Sequence, residues 1–247
     1  MQVHAINLDR DTDRWARFEQ RNGGVVDVVR VPGVDGRTLD RAALTAHGFI
    51  VEPCHRTIGS IGCGCSHFAL WYQVVDTGES LTVVEDDAIL AGNFASEAER
   101  VLDRLPAGWD IVLWGWPFDG YLWAEIPEGG CVCRLTFDQE EMRKHIDVFR
   151  ANDHPRTAVR LRHGFGTLAY TISPAGARAM LDACLPMTDR LVAFRGVAVE
   201  DSTYPNLGFD VDMNRVYPNV RAYACMPPLV LSENWRETSH TRRSDDA

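Results

Sequence analysis

A short apolar run from Leu81 to Val84, interrupted only by Thr82, leads directly into three consecutive carboxylates, Glu85-Asp86-Asp87. The run has the length and β-branched content of a buried strand. Three adjacent acids at its end repel one another unless solvent, a basic partner or a cation offsets them. Side chains alternate along an extended segment, so Glu85 and Asp87 are expected on one side and Asp86 on the other. Two carboxylates on one side just past a strand end form a half-site for Mg²⁺ or Mn²⁺, ions that usually complete their shell with water and phosphate oxygens. A solvated loop whose acids favour the start of the next helix is the other reading of the same residues.

The flanking sequence bears on that choice. Residues 2–8 form a strand pattern ending in Asp9-Arg10-Asp11-Thr12-Asp13, and Asp11 or Thr12 can cap a helix over 14–20. Gly23-Gly24 stops it, residues 25–31 give a second strand, and residues 39–46 look helical. A glycine-rich stretch, Gly59-Ser60-Ile61-Gly62-Cys63-Gly64-Cys65-Ser66-His67, leads into a helix over 68–75 closed by Gly78. A helix over 94–105 and a strand over 110–114 follow. Strand alternating with helix argues for an α/β fold with a mostly parallel central sheet flanked by helices. Ligands bind such sheets beyond the carboxyl ends of the strands, where both acidic clusters sit.

The second half is more mixed. Residues 121–126 and 131–137 flank Pro127-Glu128-Gly129-Gly130 as a hairpin, and 140–149 is a helical pattern. A strand over 168–172 precedes Ser173-Pro174, an N-cap and first-turn proline for a helix over 175–184. Residues 220–226 read as the last strand. No repeat or Ser/Gly-rich linker divides the chain, so one domain over 1–235 is expected, with 236–247 a flexible tail.

A net charge of −10 argues against broad binding to nucleic acid or anionic membrane, since no basic field draws phosphates from a distance. It leaves room for a small phosphorylated ligand. Lys144 is the only lysine, which removes most candidates for lysine chemistry. No stretch reaches about 18 apolar residues, so no transmembrane segment is expected. With no secretory signal and an odd number of cysteines, seven, the expectation is a cytoplasmic protein with reduced thiols.

Several residue sets invite chemistry. Asp9 and Asp11 after a strand suit an aspartyl-phosphate phosphatase, with Asp9 as nucleophile and Asp11 as acid/base. Cys63-Gly64-Cys65 and Cys131-Val132-Cys133 are spaced too tightly for ordinary structural zinc sites, and a Cys65–His67 nucleophile pair competes with simple packing. Trp109 and Trp114 suit the core, whereas Trp116, Tyr121 and Trp123 are candidates for a sugar-acceptor surface. Glu200-Asp201 offers a carboxylate that can deprotonate an alcohol, or a helix start.

Taken in order, these pieces resemble glycosyltransferase family 25, the lipopolysaccharide and collagen galactosyltransferase type. The resemblance runs through Ile6-Asn7-Leu8-Asp9-Arg10 with Asp13-Arg14, Val34-Asp35-Gly36, Gly59-x-x-Gly62-Cys63-x-x-Ser66-His67-x-x-Leu70-Trp71, and Val84-Glu85-Asp86-Asp87. Ala169-Tyr170-Thr171-Ile172-Ser173-x-x-Gly176-Ala177 and Pro227-Pro228-Leu229-Val230 extend it to about residue 231. It implies a GT-A-like fold and an inverting transfer of galactose or glucose from a UDP-sugar, with Mn²⁺ or Mg²⁺ as cofactor. Asp87 and Glu85 would then ligate the metal, with Asp86 beside them. Asn7, Leu8, Asp9, Arg14, Asp35 and His67 would border the nucleotide sugar, and Asp201 or Glu200 would take the acceptor proton. The region 190–205 departs from the family's late apolar-Pro-apolar-Asp pattern. The implied partners are the nucleotide sugar and a hydroxyl-bearing acceptor (glycan, protein or small molecule), including peripheral encounter with a lipid-linked acceptor. A catalytically inactive relative that binds nucleotide sugar is the alternative.

Overall fold

The computed structural model describes residues 1–194 and 202–235. The N-terminal half contains β1 (Gln2–Asn7), α1 (Thr12–Asn22), β2 (Asp27–Pro32), α2 (Arg41–Ala46), α3 (Ile58–Thr77), β3 (Leu81–Glu85), β4 (Ile89–Leu90), α4 (Phe94–Arg104) and β5 (Ile111–Gly115). Then come β6 (Tyr121–Glu125), β7 (Val132–Thr136), α5 (Gln139–Lys144), α6 (Ile146–Ala151), β8 (Thr157–Gly164), β9 (Ala169–Ile172) and α7 (Pro174–Cys184). The chain finishes with β10 (Leu191–Phe194), β11 (Ser202–Pro205), α8 (Phe209–Met213), β12 (Ala222–Met226) and β13 (Val230–Leu231).

Nine strands form one sheet in the order β2-β1-β3-β9-β5-β12-β8-β6-β7. Alternation sorts its side chains onto two faces. Ile111 and Leu113 pack with α3, α7 and α8 on one side, while Val112 and Trp114 pack with α1 and α4 on the other. This is the expected α/β architecture with helices on both faces, but the sheet is mixed rather than mostly parallel. Its parallel pairs are β1–β2, β1–β3 and β5–β12. The mixed character reaches the centre, because β9 lies antiparallel between β3 and β5. That insertion matters for function. It brings the start of β9 to the edge where β3 ends, and Glu85 donates its backbone N–H to the Leu168 carbonyl at 2.9 Å.

Two local expectations change. The glycine-rich stretch is not a lead-in loop, since α3 already begins at Ile58 with Thr57 as its N-cap, its hydroxyl accepting from Ser60 N at 3.1 Å. The glycines serve close approach instead: a Cβ on Gly62 would lie 2.6 Å from the Val34 carbonyl oxygen. Residues 140–149 form two short helices rather than one, because His145 leaves helical geometry at φ −114°, ψ 17°. By contrast, Ser173 caps α7 as expected, accepting from Gly176 N at 3.1 Å. The 121–137 hairpin also forms. One further strand, β13, follows β12. It pairs antiparallel with β4, Leu231 opposite Ile89, which carries Ser232 back to the acidic triplet. The expected tail at 236–247 lies outside the described residues.

Candidate active site

The carboxyl ends of β1, β2 and β3 open into a cavity of about 570 Å³. Its floor is the acidic triplet, and alternation divides the three side chains as the sequence implies. Asp86 turns toward β1 and α1, where it accepts from Asn7 Nδ2 at 2.7 Å and Arg14 Nε at 3.0 Å, and also pairs with the second guanidinium nitrogen of Arg14. Asn7 is held in turn by Arg30, whose Nη2 reaches the Asn7 amide oxygen and Asp9 Oδ1, each at 2.8 Å. Asp86 is therefore neutralised within the protein.

Glu85 and Asp87 are not. Glu85 Oε1 accepts from the Thr167 hydroxyl at 2.6 Å and lies 3.8 Å from His67 Nε2. Asp87 Oδ2 accepts from the Ser232 hydroxyl at 2.8 Å, while Oδ1 is buried with no hydrogen-bond partner. A buried carboxylate oxygen without a partner is costly and marks a place where something positive belongs. Burial raises the proton affinity of both acids, with repulsion from Asp87 adding to it at Glu85, while the Arg14 guanidinium works against it. Among the described residues no group of three or more His, Cys, Asp or Glu side chains stands ready to hold a metal ion. Two carboxylates with spare oxygens fit a hard cation that draws its other ligands from water and phosphate.

On the wall formed by the β1 and β2 ends the acids face arginines, with Asp11 Oδ1 3.8 Å from Arg10 Nε. Asp35 bonds Arg10 and, at 2.8 Å, Arg37, and these guanidinium hydrogen bonds hold its carboxyl far below the usual carboxylate range. Helix α3 supplies Ser66, which accepts from Val34 N at 2.8 Å, together with Cys63 and His67. Burial pushes the Cys63 thiol well up, Cys65 up as well, and His67 down to about 3. The His67 ring nitrogens face the Tyr170 hydroxyl and Glu85 rather than Cys65, so the structure gives no support to a Cys65–His67 nucleophile pair.

The facing wall contains Pro117, Gly166, Thr167 and the turn Leu207-Gly208-Phe209-Asp210. Asp210 Oδ2 accepts from Gly166 N at 2.9 Å. A Cβ at position 208 would stand 2.4 Å from Asp210 Oδ1, so glycine makes room for this carboxylate. At the mouth, Trp235 keeps 47% exposure, with the Arg143 guanidinium carbon 4.1 Å from its ring centroid. Arg143 also bonds the carbonyls of Glu233 at 2.6 Å and Asn234 at 3.0 Å, fixing the strap that carries Ser232.

Asn7, Leu8, Arg14, Asp35, His67, Glu85, Asp86 and Asp87 thus converge on one cavity. Asp9 does not join them: its side chain is 77% exposed and pairs with Arg30. The phosphatase arrangement centred on Asp9 is accordingly absent, although Asp11 lines the cavity. Glu200 and Asp201 lie outside the described residues. The aromatic acceptor surface is a correction, because Trp116 and Trp123 are buried, the first against Phe118 and Phe137, the second against His163 and Phe194. Tyr121 is half-buried under Arg134. Thr167, Asp210, Ser232 and Trp235 were not singled out by sequence. The first precedes the Ala169–Ala177 pattern by two residues and Ser232 follows Pro227-Pro228-Leu229-Val230 by two, so adjacency to a matched motif was the available signal. For Trp235, next to the presumed tail, there was none.

The model of glycosyltransferase family 25, described as LPS biosynthesis protein, matches residues 1–199. Procollagen galactosyltransferase 2 of Homo sapiens is 29% identical over 201 residues, 74% of this chain and 27% of that protein. A glycosyltransferase 25 family member of Aedes aegypti is 29% identical over 192 residues, 73% of this chain and 28% of that protein. The probable inactive glycosyltransferase 25 family member 3 of Bos taurus is 27% identical over 223 residues, 83% of this chain and 32% of that protein. The chain therefore spans about a third or less of the length of these curated relatives. A family match that extends from the first strand past the acidic floor and α7 makes this chain a member of glycosyltransferase family 25.

Proposed function

We propose that the cavity binds a UDP-hexose with Mn²⁺ or Mg²⁺ and transfers galactose or glucose to an acceptor hydroxyl with inversion. One observation carries the reading: two half-satisfied carboxylates, Glu85 and Asp87, lie on the cavity floor beside a wall whose other acids are already paired with arginine. The name of the procollagen galactosyltransferase relatives supports galactose as one donor sugar. Glu85 and Asp87 would hold the cation, which when bound supplies positive charge against the departing diphosphate.

The chain's own residues then divide the work. Asn7 and Asp35 border the nucleotide, and the Arg10 and Arg37 guanidiniums that hold Asp35 keep that border rigid. Arg14 places positive charge beside the diphosphate while anchoring Asp86. The acceptor oxygen forms a bond to the anomeric carbon, the bond from that carbon to the phosphate oxygen breaks, and its electron pair leaves with UDP. The hydroxyl proton goes to a carboxylate. Asp210 suits this step because it lines the wall facing the arginine-paired side and its Oδ2 accepts from the Gly166 backbone N–H rather than from a guanidinium. Asp201 and Glu200, the sequence candidates for the same step, lie outside the described residues. The acceptor class stays broad, from a glycan or protein hydroxyl to a lipid-linked glycan met at a membrane surface.

Thermal unfolding with UDP, Mn²⁺ and both together tests the reading. A ligand that binds the native state alone raises the melting temperature. The expected result is stabilisation by UDP that depends on Mn²⁺; its absence would remove the proposed donor site. Several relatives are described as inactive, which favours a second reading in which donor binding persists without transfer. Donor stabilisation without release of UDP from UDP-galactose or UDP-glucose, in the presence of a hydroxyl acceptor panel, would select it.

A further inference from the structure

Behind Glu85 stands a buried chain of three side chains: His67, Tyr170 and Trp71. Tyr170 is fully buried, His67 1% exposed and Trp71 fully buried. Trp71 Nε1 lies 2.8 Å from the Tyr170 hydroxyl oxygen, and His67 Nδ1 lies 2.8 Å from the same oxygen. An indole N–H can only donate, so the phenol oxygen accepts from Trp71. The phenol proton then needs an acceptor, and His67 Nδ1 is the one within reach. If Nδ1 carried the proton instead, the Tyr170 O–H would be buried with nowhere to go. The direction of every bond in the chain follows from its indole end.

The geometry points to His67 as a positioning residue for Glu85: Trp71 and Tyr170 fix the Nε2–H tautomer, and that N–H dipole faces Glu85 Oε1 from beyond hydrogen-bond distance, favouring the carboxylate orientation that the Thr167 hydroxyl holds. Nε2 is 3.8 Å from Oε1, the same oxygen that the Thr167 hydroxyl engages at 2.6 Å. The Thr167 hydrogen bond and the longer His67 approach fall on one oxygen of the carboxylate, which orients the side chain rather than neutralising it. His67 therefore neither ligates nor transfers a proton. It acts through Glu85, much as outer-shell partners orient metal-binding side chains elsewhere. This inference rests on the proposed cation role of Glu85 and Asp87.

Its test has two parts on the full chain. Two-bond ¹H–¹⁵N correlation of ¹⁵N-histidine protein, assigned with His67→Gln, should show His67 protonated at Nε2 and bare at Nδ1. Tyr170→Phe should replace that single pattern with a tautomer mixture. A proton on Nδ1 in the wild type would overturn the inference. Second, Mn²⁺ binding in the presence of UDP is followed by the electron paramagnetic resonance of free Mn²⁺. His67→Phe should weaken it by about 10- to 100-fold, whereas His67→Gln, which can present an amide N–H, should recover most of the loss. Near-UV circular dichroism establishes that each variant is folded. Equal weakening by folded Phe and Gln variants, or no change in either, defeats the positioning role while the cation site stands. Failure of the wild type to bind Mn²⁺ with UDP removes the cation site itself, and the positioning role with it.

Discussion

The two sides of the cavity handle negative charge in opposite ways. On the side built from the ends of β1 and β2, each carboxylate has a guanidinium: Asp9 has Arg30, Asp35 has Arg10 and Arg37, and Asp86 has Arg14. Across the floor, Glu85 and Asp87 have hydroxyl partners and Asp210 a backbone N–H. On the first side Asp9, Asp11, Asp35 and Asp86 each have a guanidinium within 4 Å before any ligand arrives. The second holds acids that no guanidinium pairs with directly, and burial raises the proton affinity of Glu85 and Asp87. A protein rarely leaves buried carboxylates in that state unless something else completes them, and the cost of leaving them so is local stability given up for function. On the proposed reading, the paired side is a rigid frame and the unpaired side is where cation, sugar and acceptor would meet.

The largest effect should follow from removing the orphaned oxygen. Asp87→Ala is expected to lower transfer by at least about 10³-fold, since a cation at a departing phosphate is worth several kcal/mol. Its effect on the unliganded fold should stay within about 1 kcal/mol, because loss of the Ser232 hydrogen bond is offset by relief of a buried charge. Urea unfolding with and without Mn²⁺ and UDP separates the two. A large loss of stability without ligand would mean that Asp87 is structural and the contrast false.

Asp210→Asn comes next. It retains shape and the acceptor for Gly166 N but cannot take a proton, so turnover should fall about 10²- to 10⁴-fold with Mn²⁺-dependent UDP stabilisation unchanged. If turnover holds, the base is elsewhere. On the paired side the currency changes from rate to stability. Arg14→Met leaves Asp86 with Asn7 alone, and chemical unfolding should register a loss of about 2 kcal/mol. That is less than the roughly 3–5 kcal/mol for a fully buried pair, because Arg14 retains 19% side-chain exposure. A variant as stable as the wild type would show that the frame does not depend on its ion pairs.

What the sequence made legible follows from distance along the chain. The triplet, its division into Asp86 on one side and Glu85 with Asp87 on the other, and the strand that carries them are consequences of adjacent residues and a period of two. So are the Ser173 cap and the 121–137 hairpin. The partners of the triplet come from far away: Thr167 is 82 residues from Glu85 and Ser232 145 from Asp87. They arrive through the antiparallel entry of β9 and the β4–β13 pairing, which no local pattern encodes. The aromatic expectation failed for a related reason. Trp116 and Trp123 sit in a Gly/Pro-rich stretch that resembles a surface loop, yet the long sheet folds it inward. The glycines of α3 misled similarly: read locally they break a helix, but Gly62 is needed where the helix touches the Val34 loop.

The smallest expected effect tests whether the paired side is truly held by charge. The carboxyl of Asp35 is shifted downward in the folded state by Arg37 and Arg10. A depressed carboxylate contributes stability that is present above its unfolded pKa, near 4, and is lost as pH falls toward the folded value. Unliganded protein should therefore lose part of its stability below about pH 4, and Asp35→Asn should flatten that part of the profile. At neutral pH the same variant should be weaker by no more than about 1 kcal/mol, because the pair is partly exposed and screened by salt. Urea midpoints between pH 3 and pH 7, at low and high salt, make the measurement. An unaltered acid limb in Asp35→Asn would place the acid sensitivity in other carboxylates. A salt-independent loss at neutral pH would make Asp35 a hydrogen-bonding cap for the Gly36–Thr38 turn, where its Oδ1 accepts from Arg37 N at 3.1 Å, rather than a charged element of the frame.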